Sequence, residues 1–428
     1  MVYWFKIIYF LLLLQAISRC LYFWQLKEYR WDRFRSMLAT SARNQYLLPS
    51  LQLFRPRLTF KILILFYLSF YFSFLFHPLL AYLLLPLTVS LAVLFLAPLT
   101  GLLYDLIILA AKIKLLFYKK LTVIGITGSY GKTSTKEILS HILASKYPVL
   151  KTPLNSNTTI GVALTILKSL NSTHQYFVVE MGAYRLGEIA AICRLVKPKI
   201  GILTGINEQH LGLFGSQENI IKAKSELLLA LPKNGLAVVN GVNQFTKKLA
   251  ISQAPTKFYG YAKQKINLLG QGQQLNLSAA IIVAQYLGIK KFDLTHLPQL
   301  KSALTLTKGL NQATIINDSY NSNPAGFNQA IKYVSDLPFK TKILITPGII
   351  ELGSQSAKIH RQLAAQAKPV FDQIFVTKPE IAPYFQVKTG SEADLLQKLT
   401  LILTKNHLLL IEGRFSAKFI KVLCSNQS

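Results

Sequence analysis

The sequence has 428 residues, enough for two or three domains of ordinary size. Its 48 Lys and Arg against 18 Asp and Glu give a formal net charge of +30, a basic balance that suits phosphate- or carboxylate-bearing substrates and anionic lipid head groups. No interleaved aromatic and basic motif accompanies the charge, which argues against nucleic acid. Cys20, Cys193 and Cys424 are isolated in sequence, so neither a disulfide framework nor a cysteine metal site is expected, and the usage fits a reducing compartment.

Taken in chain order, the apolar content falls unevenly. Residues 1–120 are rich in Leu, Phe, Tyr and Ile, and residues 2–22 form one apolar stretch interrupted only by Lys6 and Arg19. A retained membrane helix is expected there rather than a signal peptide, because no small-residue cleavage site follows. The next apolar block, Ile62 to Leu96, reads as two helices, about 59–76 and 79–97, with His77 and Pro78 at a tight hairpin. Lys27, Arg30, Arg33, Arg35, Arg43, Arg55 and Arg57 fall between the first two spans, which the positive-inside rule places in the cytoplasm. Three spans then leave the rest of the chain in the cytoplasm. The segment DLIILAAKIKLLFYKK, 105–120, is expected along the membrane surface as an amphipathic helix, the alternative being a fourth span. These features predict a multi-pass protein of the cytoplasmic (inner) membrane, with residues 1–120 as the membrane segment and the catalytic domains in the cytoplasm.

From Leu121 the pattern changes to alternating strand-like and helix-like segments. LTVIGITGSYGKTSTKEILSHIL runs from a β-rich stretch through a glycine turn into a helical pattern, the context in which backbone N–H groups and a helix N-terminus cradle phosphates. In this loop Gly128, Ser129, Gly131, Lys132, Thr133 and Ser134 are the candidate nucleotide contacts. Lys132 is placed at the β- and γ-phosphates and the Thr133 hydroxyl at Mg²⁺. The pattern GxxxxGK[ST] is not met, because position 126 is Ile; the shorter GSYGKTS is present.

GSYGKTS and the segments after it resemble the Mur ligase family. TPLNSNTTIGVALTIL is similar to the family's Asn-rich stretch, and VVEMGAYRLGEIAAI to the segment whose Glu, here Glu180, serves magnesium. ILTGINEQHLGLFGS supplies His210 for the same purpose, and IKAKSELLLALP supplies Lys224, carbamylated in the family to become an anionic metal ligand. IINDSYNSNPAGF, 315–327, resembles the signature that opens the C-terminal domain of the family's D-alanyl-D-alanine-adding member. Without the resemblance Lys224 would read as an ordinary helix-face lysine, whereas Glu180 closes the apolar strand FVVE, where a parallel sheet places ligand-site carboxylates.

The resemblance implies an α/β chain with a P-loop central domain, 121–300, and a smaller Rossmann-like C-terminal domain, 301–428, after the N-terminal transmembrane helices. In the C-terminal domain TIINDSY, KILITPG, QIFVTK and HLLLIEG are expected strands. Asp318, Tyr320, Asn321 and Asn323 are expected to face the nucleotide, together with Asn276 from the adenine region. That region departs from the family's GxHNxxN, with Gly272 and Gln273 in place of His and Asn. Glu412 stands where the family often has Lys, and no Arg precedes the DSYN segment. No counterpart of the family's UDP-gripping N-terminal domain is read in the sequence. The implied activity is an ATP- and Mg²⁺-dependent amide ligase working through an acyl phosphate, with Lys132, Glu180, His210 and Lys224 as catalytic set. Its expected partners are an anionic peptide or muramyl-peptide acceptor, UDP- or lipid-linked, an amino acid or dipeptide donor, and a membrane, with no nucleic acid. The rival readings are a membrane-bound poly-γ-glutamate synthase and a nucleotide-binding cell-wall scaffold without turnover.

Overall fold

The computed structural model describes all residues except 1, 39–41, 49–52, 74–77, 209, 210, 248, 250, 263–270, 292, 293, 295, 296, 298–304, 320–322, 350, 351, 353, 354 and 426–428. The chain divides into two compact units, 1–106 and 107–428.

The first unit is helical: α1 (Val2–Leu26), α2 (Trp31–Leu38), α3 (Ala42–Leu47), α4 (Phe60–Ser73) and the larger part of α5 (Pro78–Leu116). Its interior gathers Ile17, Leu21, Leu65 and Leu85 around an aromatic stack in which Trp24 lies flat on Phe34, ring centroids 3.8 Å apart. The sequence predicts three spans, and this expectation is corrected. Among the described residues two helical stretches, Lys6–Leu26 and Leu80–Leu116, are long and apolar enough to cross a membrane, a test that a soluble core helix or a signal sequence also passes. Among the described residues α4 has 14 residues, fewer than the roughly 20 that a span needs. His77, expected at the hairpin tip, lies outside the described residues.

The segment expected as a surface helix or fourth span is helical to Leu116, with Leu109, Ile113 and Leu116 exposed on one side. It is the end of α5, and it belongs to the second unit's core: Ala111 is fully buried, Ile107, Ile108 and Leu115 pack beside it, and Lys114 Nζ donates to the carbonyls of Ile166 and Leu167 at 2.9 and 3.0 Å. The lysines that suggested a lipid-facing edge therefore include one that caps a neighbouring helix.

The second unit holds two sheets. The first is built in chain order from β1 (Thr122–Thr127), α6 (Lys132–Ala144), β2 (Val149–Lys151), α7 (Thr159–Ser169), β3 (Tyr176–Glu180), α8 (Glu188–Val196), β4 (Ile200–Leu203), α9 (Leu211–Phe214), α10 (Gln217–Leu229), β5 (Leu236–Asn240), β6 (Thr256–Tyr259) and α11 (Gln271–Tyr286). Its strand order is β2-β3-β1-β4-β5-β6 and every pairing is parallel. Strands covered on both faces read as apolar runs without alternation, as TVIGIT, IGIL and LAVVN do. Helices α6 and α11 cover one face through Ile138, Leu139, Ile142 and Leu277. Helices α7, α8 and α10 cover the other through Val162, Ile192 and Leu227.

The second sheet follows with β7 (Thr305–Lys308), β8 (Thr314–Asp318), α12 (Pro324–Ser335), β9 (Thr341–Thr346), α13 (Ser356–Ala367), β10 (Gln373–Val376), α14 (Ala382–Phe385), α15 (Glu392–Ile402), β11 (His407–Glu412) and α16 (Ala417–Cys424). Its order is β10-β9-β11-β8-β7, parallel except for β7, which runs antiparallel to β8. The strands read from TIINDSY, KILITPG, QIFVTK and HLLLIEG are β8, β9, β10 and β11. The chain is thus an α/β protein with mostly parallel sheets. In such sheets the strand order reverses beside the first strand and loops gather at the carboxyl ends, which places the candidate site there.

Candidate active site

The turn after β1 is shaped by two glycines with positive φ. Gly128 has φ 145°, and a Cβ there would collide with Thr204; Gly131 has φ 77°, and a Cβ there would collide with the Asn276 side chain. Only glycine lets the backbone pass so close to β4 and α11 and then enter α6 at Lys132. Ser129 N donates to Gly205 O at 2.7 Å, and the Thr204 hydroxyl donates to the carbonyls of Thr127 (3.1 Å) and Tyr130. The loop is therefore braced from β4. Half-buried Lys132 folds over it, donating to Gly128 O at 2.7 Å. Burial holds this ammonium below the usual lysine range, partly opposed by the Glu180 carboxylate.

Glu180 ends β3, next to β1 in the sheet, and is buried. Its backbone N–H is fixed by Thr152 Oγ1 at 3.0 Å. Its Oε1 accepts from Thr133 Oγ1 at 3.1 Å and from Asn157 Nδ2 at 3.5 Å, and its Oε2 lies 3.2 Å from Lys136 Nζ. Lys136 is fully buried on α6 and is also 3.4 Å from Glu137 Oε1, which in turn pairs with Lys151. Thr133 and Glu180 thus put a hydroxyl and a carboxylate side by side at the start of α6, hard oxygen donors of the kind a divalent cation takes. Among the described residues no three His, Cys, Asp or Glu side chains form a metal cluster by themselves. His210 lies outside the described residues.

Lys224 is buried on α10, its Nζ 3.4 Å from Ala183 O and 5.7 Å above the Phe214 ring. Burial, reinforced by the charge on Lys132, lowers its amine to a pKa of about 7. An apolar, cation-facing pocket is what favours an uncharged lysine. Beyond α9 a cavity of 520 Å³ is lined by Glu208, Leu211, Gly215, Gln217 and, from the second sheet's side, Gln355.

The DSYNSNP segment reaches the phosphate loop through one side chain. Asn323 caps α12, its Oδ1 accepting from Gly326 N at 3.1 Å and from Asn207 Nδ2 at 2.7 Å, while Asn207 N donates to Ser129 Oγ at 3.2 Å. Tyr320 and Asn321 lie outside the described residues. Asp318 pairs in register with Glu412 of β11. Burial pushes its carboxyl up to about 6 against a lowering hydrogen bond with Glu412. Asn276 accepts from Thr135 Oγ1 at 3.2 Å and donates to Gln273 Oε1 at 3.1 Å, so it braces the first turn of α6. Ser134 is buried in the same turn.

Sequence reading missed Lys136, Asn207 and the pair Tyr130–Asn243, in which Asn243 Nδ2 donates to the tyrosine hydroxyl at 3.1 Å. The available signal was position: Asn207 follows β4 and Asn243 follows β5, both at carboxyl ends of the same sheet.

Residues 126–267 match the Mur ligase middle domain. The UDP-N-acetylmuramoyl-tripeptide–D-alanyl-D-alanine ligase of Bacillus subtilis is 32% identical over 285 residues, covering 59% of this chain and 62% of that enzyme. The Escherichia coli ligase of the same name is 27% identical over 351 residues, 70% and 76% of the two chains. The crystal structure of MurF ligase from Thermotoga maritima in complex with ADP superposes with a TM-score of 0.66 at 26% identity, covering 74% of this chain and 82% of that one. The chain thus spans less than two thirds of the length of the Bacillus relative.

The expectation of a multi-pass protein of the cytoplasmic membrane does not stand. Two helical stretches rather than three are long enough among the described residues, and the relatives are named as ligases of a UDP-linked tripeptide. The phosphate loop, the parallel sheet that carries it and these matches agree: residues 126–267 match the Mur ligase middle domain, and the chain around them is similar to ligases of that family.

Proposed function

We propose that this chain is an ATP-dependent amide-forming ligase that joins D-alanyl-D-alanine to a UDP-linked muramoyl tripeptide. The observation that carries this reading is the joined site at the ends of β1 and β3. There, Lys132 lies over a glycine-shaped loop at a helix N-terminus and Glu180 stands beside the Thr133 hydroxyl, in a chain whose relatives bear that name.

In this reading the backbone N–H groups of 128–133 and the Lys132 ammonium hold the nucleotide phosphates. The tripeptide carboxylate attacks the γ-phosphorus, ADP leaves, and an acyl phosphate forms. The dipeptide amine then attacks the acyl carbon, inorganic phosphate leaves, and the nitrogen loses a proton to complete the amide. Lys132 stays within the site throughout, offsetting charge that builds on the transferred group. Thr133 and Glu180 are the residues that would hold Mg²⁺, which when bound offsets phosphate charge. Lys224, its amine neutral near pH 7, is suited to take up CO₂ as a carbamate and so add a further anionic ligand. The 520 Å³ cavity between Glu208 and Gln355 is large enough for part of a peptide acceptor. Asp318 and Asn323 from the second sheet's side and Asn276 from α11 are the residues that would face the nucleotide.

The test is to incubate the protein with ATP, Mg²⁺, D-alanyl-D-alanine and UDP-linked muramoyl tripeptide, and to read phosphate release and product mass. Wild type gains one dipeptide per tripeptide and Lys132→Ala does not. Mg²⁺-dependent ATP binding with no product on any acceptor, UDP- or lipid-linked, would instead make the chain a nucleotide-binding scaffold.

A further inference from the structure

Among the described residues Lys136 is the largest charged side chain sealed completely inside the second unit, and it is not part of the phosphate-loop motif. A buried ammonium is costly unless charges compensate it. Here the compensation is directional: Nζ lies 3.2 Å from Glu180 Oε2 and 3.4 Å from Glu137 Oε1, and Glu137 is itself held by Lys151. The row Lys151–Glu137–Lys136–Glu180 alternates in sign from the end of β2, through α6, to the end of β3. The other oxygen of Glu180 is turned the opposite way, toward Thr133 Oγ1 and Asn157. One carboxylate therefore has one oxygen beside a lysine and one facing the start of α6, where the phosphate loop ends.

We propose that Lys136 is a positioning residue that confines Glu180 to a single metal-facing oxygen and thereby makes the site select Mg²⁺ over Ca²⁺. The proposal rests on the reading of Thr133 and Glu180 as the magnesium-holding pair. Mg²⁺ requires near-octahedral geometry with short bonds, retains several waters, and is served by one oxygen of a carboxylate. Ca²⁺ takes six to eight oxygens at longer distance and gains from a carboxylate that binds through both. While Lys136 holds Oε2, the second mode is closed. Groups behind a metal ligand commonly change metal affinity by roughly ten- to a hundredfold.

The experiment measures binding of a fluorescent, non-hydrolysable ATP analogue by the full chain, titrating Mg²⁺ and Ca²⁺ separately and recording the half-saturating concentration of each. Wild type should prefer Mg²⁺. In Lys136→Met the Ca²⁺ value falls relative to the Mg²⁺ value by about tenfold or more, because Oε2 is released. Lys136→Gln is made in parallel: its amide ends one bond short of Oε2, so it shows the same shift and carries the comparison should the methionine variant fail to fold. Lys136→Arg, which keeps a cation on Oε2, retains the wild-type preference. An unchanged ratio of the two ions in Met and Gln variants that melt like wild type overturns the proposal and leaves the nucleotide site intact. A wild type that binds the analogue with neither ion overturns the underlying reading instead.

Discussion

Asn207 donates from Nδ2 to Asn323 Oδ1 at 2.7 Å, and both side chains are buried. The loop after β4 is thereby tied to the N-cap of α12, and the backbone of Asn207 reaches Ser129 in the phosphate loop at 3.2 Å. Replacing Asn323 by Ala removes the cap as well as this bond, at about 1–2 kcal/mol for the cap alone. Asn207→Ala is expected to cost about 1 kcal/mol. Because both changes delete one shared contact, the double variant should be less destabilised than the sum, with a coupling of about 0.5–1 kcal/mol by urea unfolding. Strict additivity would mean that the two sheets' loops are not energetically joined here.

Lys132→Ala should lower the rate of phosphate release by about a hundred- to a thousandfold, the usual loss when one preorganised charge-stabilising group is removed. Its Nζ rests on the Gly128 carbonyl, so the loop itself loses one hydrogen bond and the melting temperature should move little. Steady-state kinetics and a thermal melt of the same preparation separate the two effects. A rate loss that merely tracks a loss of folded protein would remove Lys132 from the chemistry.

The sequence made the phosphate loop legible because its glycines and its strand-turn-helix context are local features. Glu180 was legible for a related reason, since it ends an apolar strand. Lys136 was not: one residue before Glu137 in KTSTKEIL it reads as a solvated helix face, and its burial comes from Glu180, 44 positions away in sequence. Asn207 likewise gains its role from Asn323, across 116 positions. The helical nature of residues 60–73 and 78–116 was plain from composition, whereas the number of spans was not, because apolar length cannot distinguish lipid from protein as the packing partner. One face of the end of α5 packs through Ala111 into the core beside α7, a partner that composition does not name.

Lys224 offers a reading that depends on pH in a known direction. Burial first, and the Lys132 charge second, bring its pKa down to about 7, so the neutral amine dominates above that value. Only the neutral amine adds CO₂, losing a proton to give the carbamate. The carbamate signal from ¹³C-labelled bicarbonate should therefore rise from about pH 6 to about pH 8 and be absent in Lys224→Ala. Lys132→Ala relieves the repulsion, so the midpoint of this rise should move to higher pH. A signal independent of pH over that range, or one that persists without Lys224, would count against the assignment.

Asp318 and Glu412 face each other on adjacent strands at the carboxyl edge of the second sheet, with Gly413 N donating to Asp318 O at 3.2 Å. Burial raises the Asp318 carboxyl to about 6, above its ordinary value of 3.8, despite the lowering hydrogen bond with Glu412. A carboxyl whose pKa is raised on folding favours the native state below its unfolded pKa, and that contribution disappears as pH climbs through the folded one. Folding stability should consequently fall between about pH 4 and about pH 6 by on the order of 2 kcal/mol from this group. Asn at position 318 keeps the hydrogen-bonding shape without the charge. The stability difference between Asp318→Asn and wild type should thus shift in the variant's favour as pH rises through that window. Urea unfolding of both proteins at several pH values reads this difference directly, cancelling the other titrating groups. A difference that stays flat from about pH 4 to about pH 7 would show that folding does not raise the Asp318 carboxyl.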